Sequence, residues 1–243
     1  MKRVMYLFML VALTSFMGCE KEEQIQDRNQ EEQSPSDNGL FSVAKGRQVR
    51  FAPGNLEYSG GYRFAAHQYD YGDYFGWGTG SNPTCTSTDY NDYSSFDDWG
   101  SYIDGGWRTL SADEWRYVIE DRANASAKCG AATVCGVHGM VLLPDNFSGG
   151  TFYAGFNGWN TNVYDVSSWS VMEDAGAVFL PASGIRCGTD VTHVGTYAYY
   201  WPSTPNNKYG AYYMFFYGGG VNNDGYGDRY YGQSVRLVQD YKY

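Results

Sequence analysis

Apolar positions are spread very unevenly along this chain. A continuous apolar run from Val4 to Met17 follows Met1-Lys2-Arg3, the pattern of a short positive segment and the hydrophobic stretch of an export signal. That run is too short to span a bilayer as a permanent helix. Past it the order reverses: from Glu20 to Gly39 the chain is polar and charged, rich in Gln, Glu, Ser and Asn, with Ile25 as its apolar exception. Such a stretch cannot bury enough surface to offset the entropy of ordering, so a disordered acidic tether is expected over residues 19–40. Its reach would be on the order of 25 Å root-mean-square. Gln48 to Tyr58 then alternates and turns at Pro53-Gly54, which predicts a strand and a turn, with Tyr62-Arg63-Phe64 as the return. Asp70 to Tyr102 holds no sustained period and reads as a long loop pinned by Phe75, Trp77, Phe96 and Trp99.

One helix is predicted from Ser111 to about Arg122. Ser111 and Glu114 have capping-box spacing, Leu110 and Trp115 stand as a hydrophobic staple, and Trp115, Val118 and Ile119 line one face. Strand candidates follow at Gly139–Leu143, Ala177–Leu180, Tyr197–Trp201, Ala211–Tyr217 and Ser234–Val238. Few helices and many short strands broken by Pro and Gly indicate an α+β or mostly β architecture, and α+β with short antiparallel strands and long loops is the fold expected. The organisation expected is therefore a signal peptide over 1–18, a tether over 19–40 and one domain over 41–243.

The apolar run stops at Ser15-Phe16-Met17-Gly18-Cys19, which resembles the lipobox at which a lipoprotein is cut and its new N-terminal cysteine acylated. Cys19 is the expected lipidation site and a membrane partner is implied through that anchor; an ordinary signal peptide with a chance cysteine is the alternative. Several acyl chains give stable attachment where one gives only marginal binding. Glu20-Lys21-Glu22-Glu23 resembles the signal that sends Bacteroidota lipoproteins to the outer face of the outer membrane, against the alternative of a solvated periplasmic spacer. The net charge of −10 and pI near 4.7 argue against a phosphate-binding surface, and nucleic acid is set aside as a partner. With 24 Tyr and 31 Gly, a loop-rich fold with an amphipathic, tyrosine-covered surface is expected. Beyond Cys19 the cysteines are Cys85, Cys129, Cys135 and Cys187; Cys129 and Cys135 are spaced to close a small ring, and free buried thiols are the alternative.

Several phrases occur in a suggestive order: Trp107-Arg108-Thr109-Leu110-Ser111-Ala112-Asp113-Glu114-Trp115, Leu143-Pro144, Leu180-Pro181-Ala182-Ser183-Gly184-Ile185-Arg186, Tyr199-Tyr200-Trp201-Pro202-Ser203-Thr204, and Tyr231-Gly232-Gln233-Ser234-Val235-Arg236-Leu237-Val238. Together they resemble the C-type lectin fold of the formylglycine-generating-enzyme (sulfatase-modifying factor) superfamily and of the Fibrobacter major paralogous domain family. The resemblance runs from about Trp107 to Val238, more weakly from Phe41. It implies a ligand-binding face built by an irregular insertion ahead of the last strands. The variable proteins of diversity-generating retroelements share this fold, and their adenine-directed changes exclude Lys, Glu, Gln, Met and Trp. Between Gly188 and Gly232 only Trp201, Lys208 and Met214 fall outside that menu.

The resemblance thus implies a variable ligand-binding region over 188–232. Its candidate positions are Asp190, Thr192, His193, Asn206, Asn207, Tyr209, Tyr217, Asn222, Asn223, Asp224, Tyr226, Asp228 and Tyr230. Tyr gives contact area at low entropy cost and Asn adapts its hydrogen bonding, as in a paratope, and the partner expected is a protein or glycan. The alternative is that Tyr, Gly and Asn are simply common in loops of this kind.

The enzymes of the superfamily hold copper with two cysteines in the C-terminal half, where this chain has only Cys187 and no Gly-Gly-Ser-Trp motif. A lone thiolate is a poor copper site, so no catalytic residue and no cofactor is assigned. Calcium-binding lectins use Glu-Pro-Asn and Trp-Asn-Asp; Thr204-Pro205-Asn206 and Asn222-Asn223-Asp224 each lack part of that set, and no metal site is assigned. Asp70, Asp73, Asp89, Asp92, Asp97 and Asp98 hold oxygens of the right kind, but loop Asp is mostly turn chemistry. His67, His138 and His193 lack metal spacing, and no nucleophile elbow or P-loop occurs. Trp107, Trp115 and Trp201 read as core anchors; Trp159 and Trp169 stand in Gly- and Ser-rich loops where exposure and stacking on sugars or peptides is the alternative to the core burial expected of any single Trp. A divergent oxidase and a structural subunit of a surface assembly remain the alternatives to a surface-displayed binding protein.

Overall fold

The computed structural model describes residues 39–242; the expected export signal, the expected lipidation site Cys19 and the expected tether through residue 38 lie outside the described residues. In chain order the elements are β1 (Phe41–Ala44), β2 (Arg47–Phe51), β3 (Leu56–Tyr58), β4 (Tyr62–Phe64), β5 (Trp107–Arg108), α1 (Ala112–Arg116), β6 (Cys129–Val134), β7 (Val137–Leu142), β8 (Val163–Tyr164), α2 (Val166–Asp174), β9 (Val178–Pro181), β10 (Ile185–Cys187), β11 (Asp190–Thr192), β12 (Tyr197–Tyr200), β13 (Gly210–Tyr217), β14 (Gly220–Asp228) and β15 (Val238–Asp240). The architecture is α+β: short, mostly antiparallel strands in small sheets with two helices among the described residues.

One sheet, ordered β1-β2-β15-β5, brings the two ends of the described chain together. A second runs β8-β6-β7-β9, with β8 parallel to β6, and a third runs β12-β13-β14. The turn at Pro53-Gly54 leads into the expected hairpin, with Leu56 opposite Phe64 and Tyr58 opposite Tyr62. Glycine is required there: a Cβ on Gly54 would stand 2.4 Å from the Ala65 carbonyl oxygen.

The helix at Ser111 begins as expected. The Ser111 hydroxyl accepts from the Glu114 amide at 3.2 Å and the Glu114 carboxylate accepts from the Ser111 amide at 2.9 Å, while Leu110 and Trp115 are buried. It does not continue as an α-helix to Arg122. After Arg116 it widens into a π-turn over Tyr117–Asp121, closed by Arg122 N–H donating to the Tyr117 carbonyl at 2.9 Å. The wider turn puts both Val118 and Ile119 into the core and carries Arg122 back to the Val118 and Leu143 carbonyls and the Asp145 carboxylate.

Three further expectations are corrected. Residues 166–174, read as loop, form α2, whose Asp165 and Ser168 make a second capping box and whose Trp169 and Met172 are buried. Trp169 is therefore core. The last strand lies at Val238–Asp240 rather than Ser234–Val238. Gly232 to Leu237 is instead a buried extended spine: Ser234 accepts from Trp201 N–H and donates to Tyr199, while the Val235 and Leu237 carbonyls accept from Leu56 and Ala52. Ladders on both sides hold it without a continuous strand partner. Finally, Cys129 and Cys135 bound β6, about 20 Å apart at strand rise, so no ring joins them. Cys85, Cys129, Cys135 and Cys187 are all free thiols.

The long segment 70–102 is pinned as expected, with Phe75, Trp77 and Trp99 buried and Phe96 packed against them together with Trp201. Among the described residues no helix is long and apolar enough to cross a membrane.

Candidate functional site

The sheet β12-β13-β14 has two unlike faces, and strand alternation sets both. Ala198 and Tyr200 of β12 and Met214 and Phe216 of β13 point inward to the core that holds Trp115. Tyr197, Tyr199, Tyr213, Phe215 and Tyr217 point outward, and cross-strand registry places Tyr197 opposite Tyr217 and Tyr199 opposite Phe215. The outer face is a packed aromatic ladder: Tyr199 meets Tyr213 edge-on at 5.3 Å and 82°, and meets Phe215 at 4.9 Å. Tyr213 lies across β14 where that strand has no side chains, because a Cβ on Gly225 would stand 2.1 Å from its ring and one on Gly227 3.2 Å.

Above this ladder opens a cleft of about 730 Å³. Its walls are Tyr199, Tyr213 and Tyr226 from the sheet, Tyr209 and Asn207 from the loop before β13, Ile185, Cys187 and Thr192 from the β10–β11 hairpin, Tyr231, and Tyr90 from the long loop. Tyr90 is held in place from below. Asp89 accepts from the Asn91 amide at 2.9 Å to start a 3-10 turn over Tyr90–Tyr93, and buried Tyr93 donates to the Ser87 carbonyl at 2.6 Å. Tyr90 then packs on Tyr209 at 5.0 Å and on Tyr230 at 5.4 Å.

Arg229 fixes that loop to the sheet. Its guanidinium donates to the carbonyls of Gly210, Tyr93, Ser94 and Asn207 and lies 4.2 Å over the Trp77 ring. Burial lowers its pKa from the ordinary arginine value, but carbonyls take four of its five N–H donors, so it is a structural staple. Burial is also the first cause that raises the pKa of Tyr199 and Tyr213, with neighbouring phenols second. Those hydroxyls stay neutral at physiological pH. Among the lining residues Asp228 is the one carboxylate, and neither Lys nor Arg is present.

No family model, curated protein or solved structure matches this chain.

Of the positions singled out in the sequence, Thr192, Asn207, Tyr209, Tyr226 and Asp228 meet in the cleft, and Tyr230 stands at its edge against Tyr90 and Tyr231. His193 and Tyr217 lie at the other end of the aromatic face, joined through Tyr197 at 5.2 and 6.1 Å. Asp190 is exposed on β11 opposite Cys187. Asn206 and Asn207 build a turn, the Asn207 side chain accepting from the Tyr209 and Gly210 amides. Asn222 and Asp224 are exposed, and the Asn222 side chain accepts from the Asp224 amide at 2.7 Å. Asn223 is different: it is 4% exposed and donates to Glu120 at 3.0 Å, tying β14 to the π-turn as scaffold. Trp201 and Met214 are buried scaffold too, whereas Lys208 is exposed.

Sequence reasoning missed Tyr90, Tyr199, Tyr213, Tyr231 and Cys187 as lining residues. Period-two alternation in the predicted strands carried the signal for Tyr199 and Tyr213. For Tyr90, about a hundred residues upstream of the region, nothing local did. His138 is structural as expected, its Nδ1 2.8 Å from the Gly195 carbonyl and its ring stacked on Trp159 at 5.1 Å. The loop carboxylates of Asp70, Asp73, Asp89, Asp97 and Asp98 all accept from nearby backbone amides as turn chemistry. Among the described residues no group of three His, Cys, Asp or Glu side chains is placed to hold a metal ion.

Proposed function

We propose that this chain is a surface-displayed ligand-binding lipoprotein that captures a protein or glycan in the tyrosine-lined cleft. The observation that carries this reading is the cleft itself: six tyrosines converge on it from the sheet, its flanking loops and the distant Tyr90 segment, over a buried scaffold. Rigid aromatic anchors beside adaptable polar groups are the composition of recognition surfaces. The ordered phrases from Trp107 to Val238 support a C-type-lectin-like domain, and so does the pairing of the described chain's first hairpin with its last strand. The lipobox-like Ser15–Cys19 phrase and the acidic residues behind it support acylation at Cys19 and display at the outer membrane. The restricted residue menu of 188–232 supports diversification by a retroelement. A near-copy of those codons, differing only at adenines and lying beside a reverse-transcriptase gene, is the expected genomic finding.

The divergent oxidase is the weaker reading on one observation. Cys187 is an exposed thiol in the cleft, but Cys85, Cys129 and Cys135 are not among its lining residues. The deciding experiment is a screen of the full chain in detergent micelles against glycan and surface-protein arrays, beside Tyr209→Ala/Tyr226→Ala. Both side chains are exposed, so the variant is expected to fold. Loss of specific signals in the variant supports the reading, and an identical pattern for both proteins rejects it.

A further inference from the structure

The cleft is chemically one-sided. Its walls offer the faces and edges of tyrosine rings, Asp228 supplies a carboxylate, and no basic side chain lines it. Ring faces carry the negative part of the aromatic quadrupole, and perpendicular rings such as Tyr199 and Tyr213 form two walls of a corner whose inside favours positive charge. Asp228 is held at the end of β14, paired with Gly210 of β13, and its carbonyl accepts from the Tyr231 amide at 3.1 Å. Among the described residues no Lys, Arg or His lies within salt-bridge distance of Asp228.

Among the described residues three cations flank the lining of the cleft, and each is engaged elsewhere: Arg186, between the lining residues Ile185 and Cys187, donates to the Cys85 carbonyl at 2.9 Å. Arg229 is buried under four carbonyls against Trp77. Lys208 places its ammonium 5.1 Å from the centre of the Tyr209 ring, and it lines a small neighbouring cavity that shares Tyr90 and Tyr209 with the cleft. That contact is an internal example of a tyrosine in this neighbourhood receiving an ammonium. The net charge of −10 would draw cations toward the surface as a whole.

We propose that the cleft, if it is the binding site argued above, selects an organic cation: an alkylammonium or guanidinium group caged by Tyr199, Tyr213 and Tyr226 with Asp228 as counter-charge. This names the chemistry of the ligand's anchoring group. A lysine or arginine side chain of a protein and a free small amine share that chemistry.

The test is saturation-transfer NMR on the full chain in detergent micelles, with n-butylammonium, n-butylguanidinium and the neutral, slightly more apolar alcohol 1-pentanol as probes. Both cations are expected to give signals that weaken as salt is raised, and pentanol none. Asp228→Asn is expected to weaken cation binding about tenfold or more, the loss of one close counter-charge at low dielectric. Tyr226→Ala removes a side chain that is 62% exposed and is expected to reduce the signals without affecting folding, which covers the case in which Asp228→Asn fails to fold. An acetylated Gly-Lys-Gly amide distinguishes the sources: binding tighter than butylammonium marks a protein side chain, and weaker binding marks a small amine. Equal binding of pentanol and the cations, or cation binding unchanged in both variants, overturns the proposal. Neutral methyl glycosides are run in parallel. If they bind and the cations do not, the cation assignment falls while the binding reading stands; if nothing binds at the cleft, both fall.

Discussion

Replacing Gly225 with alanine tests how the cleft wall is built. A Cβ at that position would stand 2.1 Å from Cε2 and 2.7 Å from Cδ2 of Tyr213, where comfortable carbon contacts begin near about 3.5 Å. The ring must therefore swing by more than about 1 Å, away from its edge-on contact with Tyr199. Forcing an extra carbon into such packing costs about 1–3 kcal/mol. The φ of Gly225 lies outside the left-handed region, so alanine also gains about 0.4–1 kcal/mol by restricting the unfolded chain. A net loss of about 1–2 kcal/mol is expected, read as a lower urea midpoint with tryptophan fluorescence as probe. In a Tyr213→Ala background the clash is gone, and the same Gly225→Ala change should be neutral or slightly stabilising. The cycle should thus report a coupling of about 1–3 kcal/mol. If Gly225→Ala costs the same with and without the Tyr213 ring, the glycine is required for some other reason and the account of this wall is wrong.

Other expectations follow from the scaffold. Glu114 accepts from Arg47, from Arg108 twice and from the Ser111 amide, joining α1 to β2 and β5, so Glu114→Gln should cost about 1.5–3 kcal/mol. A loss below about 0.5 kcal/mol in chemical denaturation would mean the half-exposed arginines re-solvate freely. Tyr74 and Tyr164 are held neutral by burial, each with its pKa raised to about 12, and buried Tyr200 is raised further. Stability from these phenols is complete below pH 10, the unfolded value, and is lost as pH climbs toward about 12, at most on the order of 2 kcal/mol per group. Tyrosinate absorbance should therefore rise together with loss of near-UV dichroism in that window; ionisation of all tyrosines before any unfolding would contradict it. Finally, a disulfide-exchange reagent should modify exposed Cys187 rapidly in the native protein and Cys129 only as it unfolds, since burial both hides that thiol and raises its pKa. Equal rates for the two would be inconsistent with their placement.

What the sequence revealed depended on whether an element's physics is local. The capping box at Ser111 and the Pro53-Gly54 turn are written in neighbouring residues, and both are found. The helix α2 was missed because its buried stripe is only Trp169 and Met172, and its remaining Ser, Val, Glu and Asp residues carry weak helical periodicity. β6, Cys129-Gly-Ala-Ala-Thr-Val134, is central in its sheet and covered on both faces, so it shows no alternation. β14 reads as loop because Gly, Asn and Asp are poor strand formers; its antiparallel pairing to β13 overrides that preference. The site was legible in part for the same reason. Tyr209, Tyr226 and Asp228 lie close together along the chain, whereas Tyr90 reaches the cleft only through tertiary anchoring by Tyr93 and Arg229.

The composition of β14 has a consequence for how this surface can change over generations. The strand is secured by main-chain pairing along β13 and by the single buried side chain of Asn223, while Asn222, Asp224 and Tyr226 project outward and carry no core contacts. Substitution at Asp224 or Tyr226 leaves the groups that hold the strand untouched, and at Asn222 it removes one side-chain bond to the Asp224 amide. Mutational tolerance and contact with the outside world are thereby located on the same residues, and a lineage can sample new surface chemistries here without first acquiring compensating stability elsewhere.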